Sequence, residues 1–304
     1  MTSRNVLLIG GSGFVGRQVA SKLASAGYKV VLPTRRSIYA KDLWVLPNVQ
    51  VVEANVHDAL VLDDLCRRIG QDGVVINLVG VLHDKQGTPY GPGFEKNHVE
   101  LPRKIIAAMA KNKLQRYLHM SALGADVAGC SMYQRSKGAG EALVKESTLN
   151  WTIFRPSVIF GEDDSFINLF GTLQKYAPVM PLAGAGAKFQ PVYVGDVAEA
   201  FVRAINMSGT VCRTFDLVGA NVYSLAELVK FAGAKVKKSS FVIPIPRALG
   251  YLQAYMLEFM PGPTLMSRDN LASMQQDNVL PMGAENALQK TFGITPQPLE
   301  VLLQ

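Results

Sequence analysis

Short apolar runs recur along the first half of the chain, separated by stretches in which apolar residues follow a helical period. The runs lie at roughly residues 4–9, 28–33, 49–53, 73–79, 115–121 and 150–155. Near-continuous apolar runs of this length are typical of strands buried on both faces, and their alternation with helices indicates parallel pairing. The pattern therefore predicts an α/β fold, namely a Rossmann-type, doubly wound parallel sheet with helices on both faces.

The pattern becomes irregular after residue 160, where glycines, prolines and acidic residues interrupt it. We predict that residues 1–160 form an NAD(P)-binding Rossmann domain. Residues 161–304 are then expected to supply the remaining sheet elements, interleaved with a smaller C-terminal annex on the substrate side. With 304 residues, of which 48% are hydrophobic and 18% charged, the chain can bury a core of that size.

A glycine-rich turn follows the first predicted strand. Glycines at positions 10, 13 and 16 allow a tight turn, close approach of a pyrophosphate to backbone N–H groups, and close packing of the next helix. Glycines can serve turn geometry alone, so the motif needs support from elsewhere in the chain. As a dinucleotide site, it predicts cofactor contacts from Gly10, Ser12, Gly13, Phe14, Val15 and Gly16.

The end of the second predicted strand carries Thr34, Arg35 and Arg36. An NAD-specific site places an acidic residue here, about 20 residues past the glycines, to bind the ribose 2′-hydroxyl. A guanidinium instead suits a 2′-phosphate, through charge-assisted and often bidentate hydrogen bonds. These three residues therefore predict that NADP(H) is preferred and that NAD(H) is the alternative cofactor. Solvated surface charge is the other interpretation of the two arginines.

Tyr133 and Lys137 lie one turn apart on a predicted helix and so share a face. A free tyrosine, with a pKa of about 10, is a poor acid–base group near neutrality. A lysine ammonium nearby favours the phenolate, lowers that pKa, and has further donors for a ribose. The spacing predicts a catalytic tyrosine supported by a lysine.

Together with the N-terminal glycines, this pair resembles the short-chain dehydrogenase/reductase superfamily. The stretches 154–161 and 192–198 resemble its extended and atypical branches. In that family Tyr133 would protonate a carbonyl oxygen, Lys137 would bind the nicotinamide ribose, and Ser121 would polarise the carbonyl. A one-residue shift of alignment would put Ala122 in place of Ser121. The resemblance also implies further cofactor contacts at strand ends, from Asn55, Val56, Leu78, Val79, Gly80, Asn97, Pro156 and Val158.

Two further stretches narrow the resemblance. Residues 120–125 and 271–279 are similar to the NAD(P)H-binding accessory subunits of respiratory complex I and their bacterial relatives. This similarity leaves two functions open. The chain is either an oxidoreductase or a cofactor-bound structural or assembly subunit of a membrane respiratory or quinone-biosynthesis complex, with little or no turnover.

A pocket lined by the apolar residues of 166–182 and 241–245 would carry few charged groups beyond Arg155. It suits an apolar carbonyl, quinone or lipid-related substrate better than a sugar nucleotide, whose diphosphate needs several arginines. The net charge of +7 points weakly to an anionic partner, but no nucleic-acid signature accompanies it, and no metal-ligand spacing is present.

The composition also bears on location. The N-terminal segment lacks a signal-peptide pattern, and three scattered cysteines fit a reducing compartment, so we expect a cytoplasmic protein. The longest apolar stretch, 248–260, is interrupted by Gln253 and Glu258 and is shorter than the ~20 residues that span a bilayer. It is expected to be a helix packed over the substrate pocket. An interfacial helix, with peripheral attachment to the inner face of the membrane, is the open alternative.

Overall fold

The computed structural model describes residues 4–259 and 266–303. Its strands are short, as buried parallel strands are. In chain order they are β1 Asn5–Ile9, β2 Lys29–Thr34, β3 Val49–Glu53, β4 Val74–Asn77, β5 Arg116–Met120, β6 Asn150–Pro156, β7 Ile159–Phe160, β8 Val179–Ala183, β9 Lys188–Phe189, β10 Val192–Tyr193, β11 Arg213–Leu217, β12 Tyr223–Ser224 and β13 Phe241–Ile245.

Helices connect most of these strands. They are α1 Phe14–Ser25, α2 Ala59–Ile69, α3 Pro92–Phe94, α4 Leu101–Lys111, α5 Met132–Glu146, α6 Ser165–Tyr176, α7 Val194–Ala204, α8 Leu225–Lys235, α9 Arg247–Glu258, α10 Arg268–Ser273 and α11 Ala287–Lys290. A π-helix, Glu95–Glu100, joins α3 to α4, and 3₁₀ turns lie at Ser37–Leu43, Ser208–Thr210 and Leu299–Leu303.

Seven parallel strands form the central sheet, in the order β11-β6-β5-β4-β1-β2-β3. The six predicted strands are confirmed, each within two residues of its expected position. The strand order reverses direction on either side of β1, and at such a switch point the carboxyl ends of the strands open a crevice. The parallel, doubly wound sheet predicted from the apolar runs is therefore present.

Alternate residues of the strands enter two separate cores. Val6 and Leu8 of β1 face the layer that holds α1 and α7, whereas Leu7 and Ile9 face the layer of α2, α4 and α5. Burial on both faces explains why β1 is apolar throughout.

The annex has its own core between α6, α8 and the parallel pair β8–β13. The chain after residue 160 also returns to the main domain, since α7 packs in the α1 layer and β11 pairs with β6. The boundary at residue 160 stays a prediction. Helix α9 occupies most of the apolar stretch 248–260, whose last residue lies outside the described ranges. Within those ranges, no helix is both long and apolar enough to cross a membrane.

Candidate active site at the carboxyl edge of the sheet

The glycine turn between β1 and α1 has the geometry that a bound phosphate needs. Gly10 has a φ of +83°, a conformation that favours glycine. A Cβ on Gly16 would overlap the Gly10 carbonyl oxygen and the Gly11 backbone, so only glycine lets α1 pack this closely. Gly13 is the N-cap of α1 and offers no side-chain cap, which leaves the first N–H groups of the helix exposed to a ligand.

An open cavity of about 490 Å³ lies beyond the ends of β2 and β3. It brings together three of the predicted cofactor residues, Arg35, Asn55 and Asn97. The sequence did not single out its other side chains, which are Glu53, Ala54, His57 and Lys96.

The charges around this cavity favour an anion. Burial, and then the positive charges of Lys96, Lys104 and Arg35, lower the pKa of His57, so this imidazole is neutral at pH 7. Arg35 is exposed and forms no ion pair within residues 4–259 and 266–303. The one carboxylate at the cavity, Glu53, accepts hydrogen bonds from the Ser37 backbone N–H and hydroxyl at 3.0 and 2.9 Å, which lower its pKa.

Tyr133 lies in the first turn of α5, the helix that follows β5, and its side chain is half-buried. Its ring packs edge-on against Phe94 and His98, with centroid distances of 6.0 and 5.6 Å. Burial raises the pKa of the Tyr133 hydroxyl to about 12. The hydroxyl makes no hydrogen bond to any residue that the structure describes, so it is available to a ligand.

His98 holds this region together. Its Nε2 accepts the Val81 backbone N–H at 3.1 Å, so Nδ1 carries the proton and donates to Ser136 Oγ at 2.8 Å. Ser136 in turn donates to the Tyr133 carbonyl at 2.8 Å. Burial, and then the Lys137 charge, lower the pKa of His98 well below its usual value, so it remains neutral. From the sequence, His98 was interpreted as an isolated residue, and its hydrogen bonds to Val81 and Ser136 were not predicted.

Lys137 is buried beside the same helix face. Burial lowers its pKa to about 8, although the Glu141 charge opposes the shift. Its Nζ donates to the Met120 carbonyl at 3.3 Å, and a Cβ on Gly80 would come within 3.1 Å of Nζ. Because an ammonium has three donors and this structure pairs one, two are available to ribose hydroxyls.

The expected lowering of the Tyr133 pKa by Lys137 is not found in this structure. Burial dominates the Tyr133 pKa, and the Lys137 ammonium is directed to the Met120 carbonyl instead of the phenol.

Ser121 continues β5 through a hydrogen bond of 2.7 Å from its N–H to the Phe154 carbonyl. Its hydroxyl is buried and has no well-aligned partner, although it lies near enough to Glu141 to help lower the pKa of that carboxylate. No hydrogen bond joins Ser121 to Tyr133 within the described residues, and Ala122 is partly exposed. A role of Ser121 in polarising a carbonyl stays a prediction.

Asp269, at the start of α10, contacts the N-terminus of α5 across a long stretch of sequence. Its two carboxylate oxygens accept the backbone N–H groups of Met132 and Tyr133, at 2.6 and 3.0 Å. A buried carboxylate at a helix N-terminus satisfies orphan donors and interacts favourably with the helix dipole. Sequence reasoning missed it, because the only signal was an acidic residue two positions before the 271–279 motif.

The remaining predicted residues lie along the same edge of the sheet. Thr34 Oγ1 donates to Ser12 Oγ at 3.3 Å, and the N–H groups of Leu78 and Val79 are bound by the Ile9 carbonyl and the Asn77 side chain. Pro156 ends β6. The Arg36 guanidinium donates a hydrogen bond to the Tyr39 hydroxyl at 3.5 Å. Contacts from these residues and from Phe14, Val15, Val56 and Val158 to a cofactor stay predictions.

A glycine turn at the start of α1, with a cation-rich cavity and a Tyr–Lys pair along the same edge of the sheet, is typical of the dinucleotide-binding class of proteins. Comparison with known families identifies the family. The model of the NAD dependent epimerase/dehydratase family matches residues 6–217, and the chain belongs to this family, an extended branch of the short-chain dehydrogenases/reductases. The predicted family resemblance is thereby confirmed.

The chain is also similar to individual proteins of known name. NADH dehydrogenase [ubiquinone] 1 alpha subcomplex subunit 9, mitochondrial, of Mus musculus is 29% identical over 97% of this chain and 77% of its own length. The Arabidopsis thaliana protein of the same name is 27% identical over 98% and 77%. Ceramide reductase of Caulobacter vibrioides is 28% identical over 65% of this chain and 59% of its own.

Solved structures agree on the fold. UDP-glucose 4-epimerase of Thermus thermophilus in complex with NAD superposes with a TM-score of 0.69, covering 89% of this chain and 99% of that one at 18% identity.

Proposed function

We propose that the chain is an NADP(H)-dependent oxidoreductase that reduces an apolar carbonyl compound, such as a quinone or a lipid-related ketone. The observation that carries the proposal is the presence, along one edge of the sheet, of a cation-rich cavity beyond β2 and β3 and of the Tyr133–Lys137 pair on α5, whose lysine is buried. A bound NADPH would supply the hydride.

The residues present fit this cofactor. The uncapped start of α1 suits the diphosphate, and the close approach at Gly10 and Gly16 is the approach that the motif requires. Arg35, with Arg36 beside it, would hold the 2′-phosphate, which favours NADP(H) over NAD(H). Lys137 would hold the nicotinamide ribose with its two unpaired donors.

Tyr133 would act as the proton donor. With its pKa raised, the hydroxyl is protonated throughout the neutral range, so it can deliver a proton from Oη to a carbonyl oxygen. A protonated donor suits reduction rather than oxidation.

The arginines of the second half of the chain support an apolar substrate. Arg155 forms a bidentate pair with Glu141, with both distances 2.7 Å. The arginine that the sequence placed at the annex pocket is therefore already paired. Arg203 and Arg268 form ion pairs, and Arg213 donates to the Gly209 carbonyl. Most arginines of this half are therefore paired, which favours an apolar substrate over the diphosphate of a sugar nucleotide.

The test is NADPH consumption by the purified protein with decylubiquinone, with the keto sugar nucleotide UDP-4-keto-6-deoxyglucose as the polar comparison substrate. We expect NADPH to be oxidised with the quinone and not consumed with the sugar nucleotide. Consumption with the keto sugar nucleotide alone would overturn the assignment of the substrate class.

A second function is favoured by the names of the relatives, several of which are subunits of mitochondrial NADH dehydrogenase. Here the chain would hold NADPH permanently and dock on a respiratory or quinone-synthesis complex, peripheral to the inner face of the membrane. Ligand binding would then stabilise the scaffold. In that case NADPH would remain through purification, decylubiquinone would not be reduced, and Tyr133→Phe would leave assembly unchanged.

A further inference from the structure

Large apolar side chains of the annex are exposed on helix α9 and on the outer face of the β8–β13 pair. The two elements are neighbours, because α9 packs on β8 where Gly250 meets Ala183. Phe241, Met256 and Phe259 are 73, 66 and 71% exposed. We call this surface the annex face, and its large side chains are Val179, Phe241, Ile243, Leu249, Leu252, Met256 and Phe259.

Helix α9 is packed by its small residues. Gly250 and Ala254 are its buried positions, and a Cβ on Gly250 would overlap that of Ala183 in β8. The close contact leaves no room for a large side chain on the inner face. Residues 249, 252, 256 and 259 recur at helical spacing and form one outward stripe. An ordinary surface helix turns such a stripe toward the core.

The charges around the annex face are almost all positive. Lys237 and Lys238 precede β13 and Arg247 opens α9, and within the described ranges none of the three has a carboxylate partner. The one acidic residue of α9, Glu258, is occupied by Arg268, through hydrogen bonds of 3.0 and 2.8 Å from its guanidinium. An apolar surface with unpaired cations at its border complements a surface that is apolar inside and anionic outside.

We propose that the annex face docks on an anionic phospholipid bilayer, with the α9 stripe inserted at the headgroup boundary and the three cations on lipid phosphates. A helix with Leu, Met and Phe on one face and basic residues beside it is typical of interfacial binding. Anionic headgroups add electrostatic attraction.

The same contacts tie this face to the site. Arg268, bound to Glu258 of α9, directly precedes Asp269, which caps the helix that carries Tyr133. A substrate dissolved in the bilayer would therefore meet the protein on the side of the annex. This last step rests on the proposed function, whereas docking does not.

The test is co-sedimentation of the full chain with vesicles of phosphatidylcholine alone or with phosphatidylglycerol added, without NADPH or quinone. The variant is Leu252→Glu/Met256→Glu. The matched control is Leu60→Glu, because Leu60 is a 77% exposed leucine on α2, remote from the annex. Circular dichroism and thermal melting verify that each variant is folded, and sedimentation velocity without vesicles reports self-association.

We expect binding to the anionic vesicles that weakens with salt, a loss of about tenfold or more in the double variant, and no change in Leu60→Glu. Lys237→Glu/Lys238→Glu should remove the preference for anionic over neutral vesicles. The proposal is overturned if the unmutated chain does not sediment with vesicles or if the double variant binds equally well. It is also overturned if the double variant instead abolishes a dimer, since the face would then pair two copies. Failure here leaves decylubiquinone reduction in detergent unaffected.

Discussion

The two ends of the candidate site, along the carboxyl edge of the sheet, are built differently. At the cavity end, Arg35 is exposed and the Glu53 carboxylate accepts hydrogen bonds from Ser37. At the tyrosine end, Lys137 is buried and Tyr133 is half-buried, and hydrogen bonds through His98 and Ser136 hold the helix that carries them. An open charged group can change without disturbing the fold, whereas a buried one is coupled to packing. Cofactor choice and proton transfer should therefore respond independently to mutation.

The largest effect on stability is expected at Gly16, where α1 packs closely against the Gly10–Gly11 turn. Gly16→Val would force α1 away from the Gly10 carbonyl, since even a Cβ overlaps it. We expect a loss of about 3 kcal/mol or more in unfolding free energy and no measurable NADPH binding. Gly186→Ala, at an exposed glycine with open space around it, should change stability by less than about 0.5 kcal/mol. Denaturant unfolding measures both, and equal stability would contradict the role of the close contact.

Cofactor preference should change at the open end alone. Arg35→Glu places a carboxylate where a 2′-phosphate would bind, and we expect the ratio of NADPH to NADH affinity to fall about 10- to 100-fold. Melting temperature should stay within a degree or two, because Arg35 is exposed. Lys188→Glu, with the same charge change at an exposed site in the annex, is the control. Fluorescence titration with both cofactors measures the ratio, and a fall in both variants would show a general charge effect.

At the buried end, Asp269→Asn should disturb the helix without touching cofactor. The amide loses the charge that binds the Met132 and Tyr133 N–H groups, and we expect about 1–2 kcal/mol of lost stability. If Asp269 positions Tyr133, kcat should fall while KM for NADPH stays constant. Asp163→Asn, at an exposed aspartate, controls for the substitution. A changed KM with constant kcat would remove Asp269 from the positioning of Tyr133.

The smallest effect should come from pH. Lys137 has a folded-state pKa of about 8, below its ordinary 10.5, so its protonated fraction falls about tenfold between pH 7 and 9. NADPH affinity should decline by up to that factor, and Lys137→Arg should flatten the profile. In the cofactor-free protein the unfolded chain holds this proton more tightly, so the Lys137 contribution to stability rises with pH between about 8 and 10.5. Affinity that rises with pH would contradict a role for the ammonium.

The fold was predictable because six strands buried on both faces leave uninterrupted apolar runs. The strand at 213–217 was not located, since Arg213, Thr214 and Asp216 break its apolar pattern. The polar residues are explained by the position of β11 at the edge of the central sheet, beside β6.

The site was predictable only where local motifs carry it. Residues such as Gly16, Arg35 and Tyr133 follow strand ends or share a helix turn, and spacing therefore finds them. Asp269 reaches Tyr133 across 136 residues, and its partner atoms are backbone N–H groups that no sequence pattern marks. For a related reason the sequence left the interfacial helix at 248–260 as an alternative to a packed one, because it does not reveal that Gly250 and Ala254, rather than the large residues of α9, face inward.

The central claim is that Tyr133 gives a proton to a carbonyl substrate in a site that binds NADPH. The most direct measurement supplies NADPH and decylubiquinone to the unmutated chain and to Tyr133→Phe, and follows the formation of NADP⁺ and of the quinol by chromatography. We predict that the unmutated chain forms the two products in equal amounts and that the variant forms them about 10²- to 10⁴-fold more slowly, with NADPH binding unchanged. Equal rates in both proteins, or retained NADPH with no product from either, would contradict the account.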